Sequence, residues 1–276
     1  MNRGRRDIIS IILLQLVRTA AFITFAALLF ILGYMVVRGV PHLKASLFSP
    51  VYTSENVSVL PAVVTTLMTT ALSLLIAVPL GIFAALYLVE YAKKTNRLVP
   101  VVRVTAETLS GIPSIVYGLF GMLFFVTFLK WGFSLMAGAF TLSIMILPLI
   151  MRTTEEALQS VPDAYREGAF GLGAGKLRTI RQVILPAAVP GILAGVVLGV
   201  GRIAGETAAL IYTAGTVAQI PRNVFASGRT LAVHMYALSS EGLHTGEAYA
   251  TAVILLLMVA GVNLLSAFLA KKITKN

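Results

Sequence analysis

Six runs of roughly twenty or more apolar residues, at about 19–38, 61–89, 111–129, 132–151, 187–214 and 248–270, leave this chain few ways to fold. A bilayer core about 30 Å thick is crossed by about 20 helical residues, so each run reads as a transmembrane helix. The expected architecture is an all-α integral membrane protein with six spans. The second run exceeds what the bilayer needs and contains Pro79, which predicts tilt or a kink there. Pro113 opens the third, where a missing N–H does little harm.

With 58% hydrophobic and 12% charged residues, little chain is left over for a water-soluble domain. The largest pieces between spans are 152–186 and 215–247, with a shorter one near 39–60. The net charge of +11 does not indicate nucleic acid, because the basic residues are dispersed between apolar runs. Absence of cysteine excludes disulfides, a thiol nucleophile and Cys-based metal sites. Arg3, Arg5 and Arg6 resemble the basic flank of a signal peptide, but the apolar stretch from Thr19 to Val37 is long enough to span. We read an uncleaved first helix after a tail at 1–18, followed by one membrane domain at 19–276.

Lys and Arg partition unevenly. Arg3, Arg5, Arg6, Arg18, Lys93, Lys94, Arg97, Arg103, Arg152, Arg166, Lys176, Arg178, Arg181, Lys271, Lys272 and Lys275 fall on one side, sixteen in all. Arg38, Lys44, Lys130, Arg222 and Arg229 fall on the other, and Arg202 alone lies inside a span. The positive-inside bias predicts that both termini and the 152–186 loop are cytoplasmic.

That loop is glycine-rich, with Gly171, Gly173 and Gly175 before Lys176. It is not a phosphate-binding loop of the Walker type: Phe170 occupies the position of the required first glycine, and Leu177 replaces the Ser or Thr. A helical hairpin fits better. Pro162-Asp163 is a helix start, Ala164 to Phe170 is helical, the glycines turn the chain, and Leu177 to Leu185 is helical again. Gly173 permits a sharp turn without a Cβ clash, and Pro186 sets where the next span begins. Glu167 makes a polar contact or caps the hairpin.

Glu167-Gly168-Ala169, three residues, Gly173, nine residues, Val183, one residue, Leu185-Pro186 resembles the "EAA" loop of bacterial ABC importer permeases. Gly168 and Val183 depart from that pattern, which has Ala and Ile. The resemblance implies a coupling helix that docks on a cytoplasmic ATPase subunit, so ATP and Mg would be bound by that partner and no cofactor by this chain.

Within the fifth run, Gly201-Arg202-Ile203-Ala204-Gly205-Glu206-Thr207 places charges where they cost several kcal/mol unless shielded from lipid. On a continuous helix Arg202 and Glu206 are i,i+4 neighbours and can touch. Gly195 and Gly199, on nearly the same face, favour close helix approach. Two readings stay open: an ion pair that locks the bundle, or a step on an anion path, since the planar Arg fork matches phosphate oxygens. Glu206 could also accept a hydrogen bond from protonated phosphate and repel sulfate.

This segment through Ala208, together with Gly111-Ile112-Pro113-Ser114-Ile115-Val116-Tyr117-Gly118-Leu119-Phe120, Val233-His234-Met235-Tyr236 and Glu241-Gly242-Leu243-His244, is similar to the PstA-type permease subunits of bacterial phosphate importers. Ala209 stands where many members of that family have Pro. The resemblance implies a type I ABC importer permease of the MetI-like family in the bacterial cytoplasmic membrane. Its substrate path would include Arg202, Glu206 and Thr207, and ATPase coupling would run through Glu167, Gly168, Ala169, Gly173, Val183, Leu185 and Pro186. Implied partners are a homologous PstC-type permease subunit, two cytoplasmic ATPase subunits and an external phosphate-binding protein.

His42, His234 and His244 show no metal-ligand spacing and are expected at solvated or docking surfaces. Leu231 to Tyr236 is expected at the outer mouth or a docking surface, Asn263 at a helix–helix contact, and Trp131 at the membrane interface. A permease for another oxyanion or polar nutrient shares the loop. An ATP-independent secondary transporter explains the buried charges but not the loop spacing, and shows no inverted repeat. An intramembrane enzyme lacks its nucleophile-base or metal constellation.

Overall fold

The computed structural model describes residues 3–93 and 95–274, with side chains over 10–93 and 95–268. Of the basic residues used above for orientation, Arg3, Arg5, Arg6, Lys94, Lys271, Lys272 and Lys275 lie outside the described side chains. The described residues form eleven α-helices joined by short 3₁₀ and π turns, without strands.

Helix α1 covers Arg3–Gly39, so the expected tail is helical from Arg3 onward and continuous with the first span. Helix α2, Leu60–Leu86, passes through Pro79 and widens into a π turn at Tyr87–Tyr91. Helix α3, Leu98–Ser110, occupies what the sequence suggests is a basic connector. It meets α4, Ser114–Gly121 with its π extension Met122–Phe128, at a bend of 99°. Pro113 sits just ahead of α4, as expected for a residue without an N–H.

Helix α5, Leu135–Gln159, starts on the Ser134 side chain, which accepts from Ala137 N at 3.2 Å, and outruns the expected span by two turns. Helices α6, Asp163–Gly171, and α7, Lys176–Thr179, make the expected hairpin. A π turn at Ile180–Ile184 leads into α8, Leu185–Ala204. Short α9, Ala208–Thr213, follows, then α10, Leu231–Glu241, and α11, Thr245–Thr274.

Five segments are long and apolar enough to cross a membrane: Ser10–His42, Leu60–Tyr91, Leu135–Gln159, Lys176–Ala204 and Thr245–Phe268. The pair α3–α4 passes the same test only when its two helices are taken together, as a broken span or a re-entrant loop, and so brings the number to as many as six. Two expectations need correction. Pro186 falls in the first turn of α8, but no gap precedes it: the π turn joins α7 to α8 and the helix runs from Lys176 to Ala204 without a stop. Proline at 186 crowds the Gln182 carbonyl, and the wide turn at 180–184 absorbs the misfit, with Leu185 N–H bonding to Ile180 O. The span expected at 187–214 is interrupted, because α8 ends at Ala204 and the chain restarts at Ala208.

The core is α5, clasped between α2 and α8. Leu142, Met145, Ile146, Ile203 and Leu210 fill its middle, and Leu86, Leu158, Ile180 and Ile184 fill the end nearest the hairpin. Small residues set the spacing. A Cβ at Gly81 would lie 2.7 Å from Ile150 Cγ2, and one at Gly195 would lie 2.7 Å from Thr153 Cβ. Helix α1 stands apart, packed mainly on α11, with its apolar side chains exposed. Trp131 is not a lone anchor; it stacks on Phe125 at 5.4 Å and meets Phe140 and Phe225 edge-on. Asn263 is exposed on a groove of about 420 Å³ between α8 and α11, beside Pro190 and Leu198.

Gly81→Ala is expected to destabilise the detergent-solubilised protein by about 1–3 kcal/mol through overpacking of α2 on α5, read as a lower unfolding midpoint.

Candidate functional site

The interruption between α8 and α9 places the charged segment. Gly205 N–H closes on Gly201 O at 3.3 Å and Glu206 N–H on Ile203 O at 3.1 Å, which ends α8. Glu206 then turns its carboxylate onto the start of α9, where Oε1 accepts from Ala209 N–H at 3.1 Å. A negative group at a helix N-terminus satisfies a free donor and favours the dipole. Ala209 matters here, because proline at this position would have no N–H to offer. Thr207 is the residue that opens α9, its carbonyl accepting from Ile211 N–H at 3.1 Å.

Arg202 and Glu206 therefore do not pair; among the described residues no ion pair joins them. The i,i+4 geometry is lost because the helix stops between them. Nor does Arg202 share the packed glycine face. Gly195, Gly199 and Ile203 are buried, with Gly199 against Ile150, while Arg202 on the neighbouring flank is exposed. The result is a guanidinium in an apolar helix with no acceptor from its own chain among the described residues. Lipid cannot solvate it, so its surroundings are protein or water.

Helix α4 holds this break from behind. A Cβ on Gly118 would sit 2.8 Å from Ala209 Cα, and one on Gly121 would sit 2.7 Å from Thr213 Cγ2. Tyr117, buried in the same helix, donates from its hydroxyl to Leu109 O at 2.8 Å.

At the other end of α8, the 163–185 hairpin hangs on one side chain that sequence reading missed. Arg166 donates to Glu90 Oε1 from Nη2 at 2.8 Å and from Nε at 3.1 Å. It also reaches Val161 O and Leu158 O, each at 2.9 Å, and Asp163 Oδ1 at 3.1 Å. The π turn at Tyr87–Tyr91 carries Glu90 to this point, and Lys176 Nζ lies 4.9 Å above the Tyr91 ring. One guanidinium thus ties together the ends of α2 and α5 and the first hairpin helix. Glu167, expected to make a polar contact or cap the hairpin, is exposed, and its side chain makes no hydrogen bond among the described residues.

The tip of the hairpin is open. Gly173 turns with φ +80°, a conformation that needs glycine. Gly168 has nothing within 4 Å of a would-be Cβ, so its departure from Ala is sterically neutral. Ala169 is half-buried, whereas Leu172 is 91% exposed and Leu177 71% exposed. Val183 and Leu185 are half-buried against the apolar cluster that includes Leu158 and Ile184, and Pro186 is exposed.

A second charged junction joins α3 to α5: Arg103 pairs with Glu155, which also accepts from Gln159 Nε2 at 3.0 Å. With Glu107, Arg152 and Glu156 these line a cavity of about 260 Å³.

The far side departs from expectation. Leu231, Ala232, Val233 and His234 are buried, not at an open mouth, because α10 packs into the gap between α2 and α11. His234 is neutral: burial first, and the Arg229 charge second, lower its pKa to about 3. His42 Nδ1 contacts Arg38 O at 3.0 Å, and His244 lies 3.8 Å from Glu247. No cluster of metal-ligating side chains occurs among the described residues.

Residues 77–275 match the family described as binding-protein-dependent transport system inner membrane component. The chain belongs to that family. It is accordingly a multi-pass inner-membrane permease component. It is 36% identical over 225 residues to the probable ABC transporter permease protein YqgI of Bacillus subtilis (strain 168), covering 74% of this chain and 76% of that one. It is 35% identical over 207 residues to the phosphate transport system permease protein PstA 1 of Mycobacterium tuberculosis (strain ATCC 25618 / H37Rv), covering 74% and 67%. A bacterial alginate ABC transporter crystallised with a pentasaccharide-bound periplasmic protein shares the fold, with a TM-score of 0.67 at 19% identity over 100% and 99% of the two chains.

Three outcomes test this geometry. Arg166→Ala is expected to cost about 3–5 kcal/mol by stranding Glu90, and the Arg166→Ala/Glu90→Gln double variant should lose less than the two singles together, as a double-mutant cycle in chemical denaturation would report. Gly118→Ala should displace α9 and slow transport while the chain still inserts and assembles, checked by uptake beside size-exclusion chromatography. Because the folded-state pKa of His234 lies below its unfolded value near 6.5, stability is full above that pH and falls towards pH 3. Between pH 7.5 and 5.5 the loss is about 1.4 kcal/mol, and His234→Gln should flatten that slope in thermal melts.

Proposed function

We propose that this chain is the membrane-spanning subunit of an ATP-driven importer of inorganic phosphate. Both termini and the hairpin face the cytoplasm. A homologous, distinct PstC-type permease subunit completes the pore, and two cytoplasmic ATPase subunits supply the energy while binding ATP and Mg. An external binding protein delivers phosphate. This chain performs no chemistry and holds no cofactor.

The observation that carries this reading is the unpaired Arg202, exposed on the flank of α8 at a break in a membrane helix. A free guanidinium there offers planar donors to a tetrahedral oxyanion. Relatives named as phosphate transport permeases support phosphate as that anion. Glu206 keeps one oxygen on α9, leaving the other to accept from a protonated phosphate and to repel sulfate, which has no proton to donate.

Energy would enter at the other end. The exposed leucines at 172 and 177 supply an apolar knob for a groove on an ATPase subunit, with Glu167, Gly168 and Gly173 beside them. Arg166 would pass the displacement to α2 and α5, and the continuous helix Lys176–Ala204 would pass it to Arg202. A helix of 29 residues spans roughly 43 Å, enough to link a cytoplasmic knob to the membrane interior without a joint.

The test is ATP-driven uptake of labelled phosphate into proteoliposomes holding this chain with its co-purifying subunits and binding protein. Uptake should require ATP and ignore sulfate. Arg202→Gln should reduce it roughly ten- to hundredfold, the worth of one charge-assisted hydrogen bond, with assembly intact. Glu206→Gln should admit sulfate as a competitor. ATP-driven uptake of a different solute would overturn the phosphate assignment, and ATP-independent flux would overturn the coupling itself.

A further inference from the structure

Five of the seven buried side-chain N and O atoms that find no partner among the described residues lie within six residues of one another. They are Arg229 Nε and Nη2, Thr230 Oγ1, and both ring nitrogens of His234, whose ring faces the Val57 backbone without a well-formed hydrogen bond. Buried polar groups are nearly always bonded, so such a concentration marks a missing partner. It falls at the N-terminus of α10, far along the chain from Arg202.

The surroundings define what that partner must be. Thr230 precedes the first helical residue of α10, and its hydroxyl makes no capping bond. Leu231 N–H is taken by Thr66 Oγ1 at 2.8 Å, and His234 N–H returns to Thr230 O at 2.8 Å. Between them, the buried N–H groups of Ala232 and Val233 bond no acceptor among the described residues. Two amides and a hydroxyl therefore open at the positive end of an 11-residue helix, and the buried Arg229 immediately precedes its N-cap residue.

Charge separates an anion from water as the occupant. Arg229 is 6% exposed, permanently cationic, and pairs with no carboxylate among the described residues. Its guanidinium carbon lies 4.6 Å from the centre of the Tyr52 ring, a cation–π contact that positions the side chain without neutralising it. The charge reaches the first turn of α10, where it depresses the protonation of His234. Neutral His234 brings no competing charge. Bound water would satisfy the donors and leave the buried cation uncompensated.

We propose that Arg229, Thr230 and the first-turn amides of α10 form a second anion site, for a small oxyanion of the phosphate type. Loop 215–230 closes over it, with Arg229 N–H on Val217 O at 2.9 Å and Gln219 Nε2 on Tyr52 O at 3.2 Å. The positive-φ turn at Gly215 (φ +85°) begins that loop. The choice of phosphate as the anion rests on the importer reading above; the need for an anion does not.

The test is equilibrium dialysis of labelled inorganic phosphate against the assembled importer without its binding protein. Saturable binding is expected, weakened tenfold or more by Arg229→Gln and by Thr230→Val. Thr230→Val keeps side-chain shape and serves if Arg229→Gln fails to assemble. Binding unchanged in whichever of these two variants assembles would overturn the site, as would displacement by equimolar chloride, which would mark a solvent halide. Phosphate uptake with dialysis indifferent to both substitutions removes this site and leaves the proposed function standing. Uptake of another solute, with phosphate binding still dependent on Arg229, removes the proposed function and leaves the site.

Discussion

Inside hydrocarbon a backbone amide has no water to bond, so a helix can be interrupted only where another group closes what the break opens. The architecture of this permease component follows from how that constraint is met at one point, Gly205–Thr207. Two backbone bonds seal the end of α8, and the Glu206 carboxylate supplies the acceptor that α9 would otherwise lack. The same break swings Glu206 away from Arg202 and leaves the guanidinium unspent. A continuous helix would have paired the two charges and neutralised the segment. Gly118 lets α4 touch the backbone of α9, and Gly121 leaves room for the Thr141 and Thr213 side chains beside it.

Charges elsewhere in the chain are divided between those used for holding and those left free. Arg166 spends its donors on Glu90, Asp163 and two carbonyls, and Arg103 is matched by Glu155. Both pairs sit where α5 ends, near the hairpin, and both join elements distant in sequence. Arg202 and Arg229, by contrast, find no acid among the described residues. On the proposed function, the rigid junctions would lie where force enters and the open cations where an anion would pass. The continuous helix from Lys176 to Ala204 connects the two regions mechanically.

Much of this was legible in the sequence because lipid enforces it. The long apolar helices, and Pro113 at the head of α4, follow from length and from proline's missing N–H. The hairpin was legible from three spaced glycines, and Gly173 adopts the positive φ its position implies. The break at 205–207 was hidden inside a uniformly apolar run; Gly205 and Thr207 flanking Glu206 were the available signal, a stop and a start side by side. Pro186 misled for the opposite reason, since a π turn upstream accommodates a residue that ordinarily ends a helix. Glu90 and Arg166 are 76 residues apart and nothing local announces their contact. Arg229 and His234 read as loop polar residues because burial by α2 and α11 is a tertiary event.

On the proposed function, the hairpin and the membrane helices move as one body through Arg166. The most direct test of that coupling is the distance between spin labels at Leu172, on the exposed tip, and Tyr87, at the exposed end of α2, in the assembled importer with and without ATP. One narrow distribution, unchanged by nucleotide and broadened by Arg166→Ala, is the expected result. A wild-type distance that shifts when ATP binds would mean the hairpin swings on its own, and the guanidinium junction would not be the route by which force reaches Arg202.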